Sequence, residues 1–360
     1  MKDADITPIL QKSLDGQDLT VTEIEALLAA EDQNSVARLF EAARTVKTQY
    51  FGNKVFLYGF VYFSTHCRNN CSFCFYRSSN TDSVRYRKTD DEILELATSL
   101  EDSGVHVIDL TMGEDPLIHN DNHYNRLTDL VKMVNNAVDI PLMVSPGAIP
   151  ERLFPVLMEN GADWIACYQE THNMELFKKL RPDQDYEFRL NQKKWADKYG
   201  LLAEEGIMIG VGESVKDRAD SIDTMRGLNV NQVRAMSFVP QENTPMSVNS
   251  PSPFIEELKA IAVMRLVHPK NLIPASLDVE GVAGLKTRLA AGANVITSII
   301  PPRKGLAGVA QHELDIDDGG RSVEQIEAIL DDINVKIADK YEYINLIESW
   351  KNSKKAGVSL

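Results

Sequence analysis

Eight apolar runs alternate along the chain with segments of helical periodicity. Each run is long enough for a strand buried on both faces, and such strands in parallel sheets have nearly continuous apolar sequences. The runs cover residues 54–64, 105–112, 140–147, 163–170, 205–212, 232–240, 272–279 and 294–300. The clearest intervening helix is predicted between Thr89, which forms a capping-box pattern with Glu92, and Gly104. Eight strand–helix repeats predict an α/β fold, a (β/α)8 TIM-type barrel.

The chain is predicted to form one barrel with helical additions at both ends. Residues 1–50 are expected to be an N-terminal helical extension, 51–320 the (β/α)8 barrel, and 321–360 a C-terminal helix, roughly 322–333, with a tail of the same domain. Two separate domains would need a linker, and no Ser/Gly/Pro-rich tract interrupts the repeats. A doubly wound open sheet is the alternative architecture. In a barrel the loops that follow the strands share one face, so the chemistry is expected there.

Polar residues interrupt three of the predicted strands, although barrel interiors are normally filled by branched apolar side chains. Asp109 lies in the second strand, Arg234 in the sixth, and Ser276 and Asp278 in the seventh. Ser276 and Asp278 are two positions apart and therefore face the same side of the strand. One interpretation is an internal ion pair that only braces the barrel, and the other is a substrate site inside it.

The second interpretation favours a diamino acid as the substrate. Arg234 together with Ser276 can bind a carboxylate, because the guanidinium offers a bidentate fork. Asp109 and Asp278 can each bind an ammonium group. Lysine and ornithine carry one carboxylate and two ammonium groups, so their net positive charge would balance two aspartates and one arginine.

Three of the four cysteines lie within eight residues, as Cys67, Cys71 and Cys74, while Cys167 is distant. A disulfide framework is disfavoured in a chain of this size that is expected to be cytoplasmic. A structural zinc site would require further ligands, because zinc in such sites takes four. The CxxxCxxC spacing favours a [4Fe–4S] cluster with three cysteine ligands and one open iron, with structural zinc as the alternative.

Composition and charge narrow the choice of partners. The 360 residues include 43% hydrophobic and 25% charged residues, which is typical of a soluble globular protein. The formal net charge of −15 disfavours binding to nucleic acid or to a membrane surface and favours a small-molecule substrate. The first residues lack the basic and apolar regions of a secretory signal, so a cytoplasmic location is predicted.

The cysteine motif, with Phe73 directly before its last cysteine, resembles that of the radical S-adenosylmethionine (SAM) superfamily. Other segments are similar to those of a narrower family, the methylornithine synthases of pyrrolysine biosynthesis, and more distantly to the hydrogenase maturase and biotin synthase branch. These segments include TMGEDP at 111–116, YQET at 168–171, FVPQENTP at 238–245 and IPASLD at 273–278. The resemblance implies a [4Fe–4S] cluster and SAM as cofactors.

The same resemblance implies a role for each candidate residue. The three clustered cysteines would ligate the cluster, and Glu114 stands where a GGE motif contacts the methionine amino group, with Met112 replacing its first glycine. Glu170 and Arg189 resemble the residues that hold the ribose and the methionine carboxylate of SAM; the alternatives are a strand-end cap and a surface helix charge. The substrate-holding positions of the family are matched by Asp109, Arg234, Ser276 and Asp278.

The reaction that the resemblance implies is an isomerisation of L-lysine to (3R)-3-methyl-D-ornithine. A 5′-deoxyadenosyl radical from SAM would remove a hydrogen from the lysine side chain, after which a glycyl fragment migrates. The implied partner is a low-potential electron donor such as flavodoxin or ferredoxin. The alternatives are another radical SAM enzyme acting on an amino acid, as in the hydrogenase maturase branch, and a structural zinc-binding protein. Because Cys167 is isolated, an auxiliary iron–sulfur cluster is disfavoured.

Overall fold

Strands form in the order in which the apolar runs occur along the chain. The structure is a computed structural model that describes residues 5–301 and 321–355; residues 1–4, residues 302–320 of the predicted barrel region and the predicted tail beyond residue 355 lie outside the described residues. The strands are β1 (Lys54–Ser64), β2 (Val107–Met112), β3 (Leu142–Ser145), β4 (Ala162–Ala166), β5 (Leu202–Ile209), β6 (Gln232–Ser237), β7 (Pro274–Ser276), β8 (Val295–Ile299) and β9 (Lys336–Ile337).

All eight predicted strands are confirmed, and β5 shows the largest displacement. It begins at Leu202 rather than at residue 205, because two fully buried glutamates interrupt the apolar pattern inside the strand. Glu204 pairs with Arg234 and Glu205 with Lys193, which offsets the cost of burying each charge. Glu204 separates Leu202 and Ala203 from the apolar residues that follow, and this explains the late predicted start.

Helices fill the connections between the strands and extend both ends. They are α1 (Thr7–Leu14), α2 (Val21–Leu28), α3 (Gln33–Phe51), α4 (Asp90–Asp102), α5 (Pro116–His119), α6 (Asn125–Asn135), α7 (Leu153–Glu159), α8 (Met174–Leu180), α9 (Tyr186–Tyr199), α10 (Val215–Gly227), α11 (Phe254–Val267), α12 (Leu285–Ala290), α13 (Val323–Asp332) and α14 (Lys340–Lys355). The capping box of Thr89 and Glu92 forms at the start of α4 as predicted. Along residues 5–301 and 321–355, no helix is both long and apolar enough to cross a membrane.

The strands run parallel in the spatial order β6-β5-β4-β3-β2-β1-β8-β7. The circuit returns from β7 to β6 through one isolated bridge, between Gln232 and Leu272. Main-chain bonds of 3.0 Å from Val233 N to Leu272 O and from Leu272 N to Asn231 O support this bridge. The result is a nearly closed eight-stranded barrel. The predicted (β/α)8 fold is therefore confirmed, and the open doubly wound sheet is wrong.

The side chains of β1 alternate between two cores. Residues such as Leu57 pack with the surrounding helices, whereas residues such as Phe56 face the barrel interior. At the N-terminal end of the barrel, the interior is covered by α14. The ring of Trp350 lies 6.1 Å from that of Trp164, and the ring of Tyr343 lies 5.3 Å from that of Phe56. The sequence did not predict α14, and the cavity formed by the described residues opens towards the opposite end.

The three N-terminal helices pack against the helical layer. α3 contacts α11, and α2 contacts both α10 and α11. Ile24, Leu27 and Leu28 of α2 are buried in this contact. The barrel therefore keeps its C-terminal face for the loops that carry the candidate chemistry.

Candidate active site

A cavity of about 330 Å³ opens at the C-terminal end of the barrel strands. This volume lies in the range of small-molecule sites, and the position is where barrel enzymes place their chemistry. Every predicted site residue lines this cavity, namely Cys67, Cys71, Cys74, Asp109, Glu114, Glu170, Arg189, Arg234, Ser276 and Asp278. The structure thus brings together predicted residues from five of the eight strand–loop units.

The loop that carries the cysteines is folded around one arginine. After β1 the chain turns and returns to form an antiparallel bridge between Ser64 and Arg87. The Arg85 guanidinium donates to the carbonyls of Thr65 at 2.5 Å, Tyr76 at 2.9 Å and Arg77 at 2.7 Å. One cation thereby satisfies carbonyl groups that the irregular loop leaves without partners.

The three cysteine sulfurs have different surroundings. Cys71 is buried, and its Sγ accepts hydrogen bonds from Arg181 Nη1 at 3.3 Å and from Gln184 Nε2 at 3.1 Å. Burial raises the pKa of the Cys67 thiol, and burial together with the neighbouring cysteines raises the pKa of Cys74 to about 12. A metal that binds these sulfurs must therefore compensate for two costly deprotonations.

The described residues contain no group of three Cys, His, Asp or Glu side chains placed to hold a single metal ion. A cubane cluster makes a different demand, since each of Cys67, Cys71 and Cys74 would bind a different iron. All three cysteines line the same cavity, as the ligands of one cubane must.

Glu114 lies beside the cysteine loop in a polar cradle. Its Oε1 accepts from Ala148 N at 3.0 Å and lies 3.4 Å from Arg189 Nη1, and its Oε2 accepts from Arg68 Nε at 3.1 Å. Burial acts to raise the pKa of Glu114, but the nearby cations, Arg189 foremost, outweigh it and lower the pKa. Gly147 has φ +78, and a Cβ there would overlap the Glu114 side chain. This glycine therefore makes room for the carboxylate.

Arg189 is buried, so its interpretation as a surface charge on α9 is wrong. Its Nε donates to the Tyr168 carbonyl at 2.6 Å, which directs the guanidinium into the cavity next to Glu114. The Glu114 carboxylate, at the end of β2, and the Arg189 guanidinium, on α9, can thus bind the two charges of a zwitterionic group.

Glu170 follows β4 in a left-handed conformation with φ +67, which is strained for a residue other than glycine. Main-chain bonds to β5 hold it there, from Glu170 N to Gly206 O and from Met208 N to Glu170 O. Its Oε1 pairs with Arg181, while Oε2 is buried and has no partner among the described residues. Such strain and an unpaired acceptor are typical of a ligand-binding position.

Arg234 is fixed deeper in the barrel by a contact that sequence reasoning missed. Its Nε donates to Glu204 Oε1 at 2.7 Å, and the rings of Tyr58 and Tyr168 lie 5.7 and 5.6 Å from the guanidinium carbon. Glu204 also accepts from Tyr168 at 2.8 Å and from Gln232 at 2.6 Å. Within the described residues, the terminal nitrogens of Arg234 make no hydrogen bond. They remain available to an anion in the cavity.

The pKa values of the two aspartates in the predicted substrate site are shifted in opposite directions. Burial raises the pKa of Asp109 to about 6, although hydrogen bonds from Tyr58 at 2.7 Å, Ser145 at 2.7 Å and Thr111 act against it. Burial also acts to raise the pKa of Asp278, but the cation Arg321 leads the groups that outweigh it and lower the pKa. Asp278 therefore stays ionised to lower pH than Asp109.

Ser276 and Arg321 both contact Asp278. Ser276 Oγ donates to Asp278 at 2.9 Å, Ser298 Oγ donates at 2.6 Å, and Arg321 Nη1 lies 3.2 Å from its other oxygen. Ser276 therefore shares the cavity with Arg234 but is not hydrogen-bonded to it. The predicted balance of three charges is incomplete, because Glu204 and Arg321 belong to the same polar set. The adjacent glutamates of β5 are a sequence signal for Glu204, whereas no signal links Arg321 to Asp278.

Comparisons with known proteins agree with this geometry. Residues 61–225 match the model of the radical SAM superfamily. The chain is 41% identical over 335 residues to the 3-methylornithine synthase of Methanosarcina barkeri, covering 92% of this chain and 94% of that protein. It is 31% identical over 291 residues to the [FeFe] hydrogenase maturase subunit HydE of Thermotoga maritima, covering 80% and 82% respectively. The crystal structure of methylornithine synthase (PylB) superposes with a TM-score of 0.89 at 40% identity, covering 94% of this chain and 99% of that one.

Proposed function

The chain belongs to the 3-methylornithine synthase family of the radical SAM superfamily, and on that premise we propose that it isomerises L-lysine to (3R)-3-methyl-D-ornithine. The observation that carries the proposal is the pairing of two sites in one cavity. A loop with three cysteines lies at its mouth, and a polar set with opposite charges lies on its inner wall. The first suits a cluster with SAM, and the second suits a small amino acid.

The residues present fit both cofactors. Cys67, Cys71 and Cys74 would hold the [4Fe–4S] cluster, and the unpaired Oε2 of Glu170 is an acceptor for a ribose hydroxyl. Glu114 and Arg189 would bind the amino and carboxylate groups of the methionine part of SAM. When bound, cluster and SAM supply one-electron cleavage of the sulfonium and a 5′-deoxyadenosyl radical.

The charge of the inner wall matches lysine. Asp109, Glu204 and Asp278 face Arg234 and Arg321, so three carboxylates and two guanidinium groups leave one net negative charge. Lysine with both amines protonated carries one net positive charge, and its binding would neutralise the site. Arg234 would hold the carboxylate through its terminal nitrogens, and Asp278 would hold an ammonium group.

Migration of a glycyl fragment requires that both fragments of the substrate stay bound. Contacts at the two charged ends of lysine provide this retention, because the glycyl fragment keeps the carboxylate and the α-ammonium, and the other fragment keeps the side-chain ammonium. The aromatic floor that Phe56, Trp164 and α14 form closes the other end of the barrel against water. Reactive intermediates are thereby shielded from solvent.

The test is anaerobic reconstitution with iron and sulfide, followed by incubation with a low-potential reductant, SAM and ¹³C-labelled lysine. Mass spectrometry is expected to show SAM-dependent formation of labelled methylornithine. Arg234→Ala should abolish product while the cluster still assembles, and Arg44→Ala, an exposed change on α3, should leave turnover unchanged. Turnover of another amino acid without methylornithine would favour a maturase-like activity, and stoichiometric zinc without iron would refute the proposal altogether.

A further inference from the structure

Cys71 differs from the other two cysteines in the kind of donor that it accepts. The sulfurs of Cys67 and Cys74 accept hydrogen bonds from main-chain N–H groups. Among the side chains that the structure describes, only Arg181 and Gln184 donate to a cysteine sulfur, and both donate to Cys71. These two residues come from the segment between α8 and α9, outside the cysteine loop.

This segment is tied to the cysteine loop at fixed points. Ser72 N donates to the Leu180 carbonyl at 2.8 Å, and Ser72 Oγ donates to the Lys179 carbonyl at 2.6 Å. The Arg181 guanidinium also lies over the Phe73 ring, with its carbon 5.3 Å from the centroid. The two N–H donors are therefore held at the sulfur by the surrounding structure.

Arg181 has a second partner of a different kind. Its Nη2 pairs with Glu170 Oε1, the carboxylate whose other oxygen is unpaired, while its Nη1 donates to Cys71. One planar guanidinium thus connects a candidate cluster ligand with a candidate SAM contact. A lysine in its place could not make both bonds in one plane.

We propose that Arg181 and Gln184 are positioning residues that raise the reduction potential of the cluster through N–H···S bonds to Cys71, and that Arg181 also orients Glu170 for SAM. This inference rests on the proposed function, since it presupposes a cluster on the three cysteines. Neither residue was predicted from the sequence, where the segment KKLRPDQD resembles an exposed turn.

The direction of the effect follows from charge. One electron passes from an external low-potential donor to the cluster, so a [4Fe–4S] core with three thiolates goes from one to two net negative charges. No bond to a residue forms or breaks, and the arginine keeps its proton. Donors at a thiolate stabilise the more negative state, which is why hydrogen bonds to cluster sulfurs help to set the potential.

The experiment compares Gln184→Leu, Arg181→Lys and the control Arg77→Lys with the wild-type chain, all reconstituted anaerobically. Gln184→Leu removes one N–H···S bond. Arg181→Lys keeps the charge, but a single ammonium that pairs with the Glu170 carboxylate no longer presents a second, coplanar donor to Cys71. Neither substitution changes the formal charge, and Arg77 lies in the cysteine loop without a described bond to a sulfur. Iron content, potentials from titrations monitored by electron paramagnetic resonance, and SAM affinity are measured for each.

Both test variants are expected to retain the cluster and to lose about tenfold in the ratio of reduced to oxidised cluster at a fixed poise, which is a shift of about 59 mV to lower potential. Arg181→Lys should weaken SAM binding more than Gln184→Leu, because Arg181 pairs directly with Glu170, whereas Gln184 has only a long contact of 3.4 Å with Arg189 Nη1. Arg77→Lys should match the wild type in both measurements.

Unchanged potentials in both variants with full iron content would overturn the inference while leaving the proposed function intact. If Arg181→Lys fails to fold, Gln184→Leu still decides the effect on the potential. Failure of the wild-type chain itself to take up a cluster would instead contradict the proposed function.

Discussion

Glu204→Gln tests whether the buried ion pair with Arg234 organises the substrate site. The pair is almost fully enclosed, with side-chain exposures of 0% for Glu204 and 5% for Arg234. Breaking a buried pair by neutralising one partner costs about 3–5 kcal/mol, since a charge is left without compensation. The amide keeps an oxygen for Arg234 and Gln232, and Tyr168 can accept from its nitrogen. We therefore expect a loss of about 3 kcal/mol, at the lower end of that range.

The assay is a double-mutant cycle on the unreconstituted chain, with urea unfolding followed by circular dichroism. Arg234→Gln alone leaves Glu204 as an unpaired anion and should destabilise the chain by a similar amount. The double variant removes both charges, so its loss should be clearly smaller than the sum of the two single losses. In separately reconstituted samples, lysine turnover should fall in all three variants, because each loses the oriented guanidinium.

The cycle separates stability from function. Suppose that the free energy of unfolding of Glu204→Gln lies within about 0.5 kcal/mol of the wild-type value, which is the scale of an ordinary surface substitution. The ion pair with Glu204 would then not hold Arg234 in place. Strict additivity of the two single losses would lead to the same conclusion. In either case, the account of carboxylate binding by a preset guanidinium would have to be abandoned.

Three further predictions concern other parts of the site. Because the pKa of Asp109 is raised to about 6, the folded chain binds this proton more tightly than the unfolded chain. The free energy of unfolding should therefore decrease as the pH rises from about 4 to 6, and urea titrations of Asp109→Asn should show a weaker decrease over the same range. Cys74→Ala should lose the bound iron after reconstitution, whereas Cys167→Ala, a buried cysteine outside the loop, should retain it; equal iron contents would contradict the ligand assignment. Gly147→Ala should weaken SAM binding at least tenfold in equilibrium dialysis, because the new Cβ would displace the Glu114 side chain. Gly16→Ala, at a similar φ of +74 but with open space around it, should leave SAM binding unchanged. Equal SAM affinity in the two variants would contradict the steric role of Gly147.

Periodicity and spacing predicted the barrel and the cavity wall because these depend on local patterns. The eight apolar runs correspond to eight strands. Asp109, Arg234 and Asp278 are conspicuous in these runs, because a charged side chain inside a barrel needs a polar partner or a ligand. The strand ends then fixed which residues share the mouth of the barrel. Most of the site could be predicted in this way.

Contacts that cross between distant elements could not be predicted from these patterns. Arg181 meets Cys71 across 110 positions of sequence, and Arg321 meets Asp278 across 43. Nothing in the local sequence of either arginine distinguishes it from an exposed one. Ser276 shows the same limitation, since its strand position placed it in the cavity but its hydroxyl is bonded to Asp278 rather than to Arg234.

The helix that seals the barrel floor, α14, has a consequence for biosynthesis. Lys54 at the start of β1 pairs with Glu342 of α14 across 288 positions, so the first strand to leave the ribosome meets its cover only after all eight barrel strands have been synthesised. Until α14 has been synthesised, Phe56 and Trp164 are not covered, and the nascent chain presents an aromatic surface of the kind that chaperones recognise. Completion of this fold is therefore a late event of translation, and a stall before residue 340 would leave a barrel with an open floor.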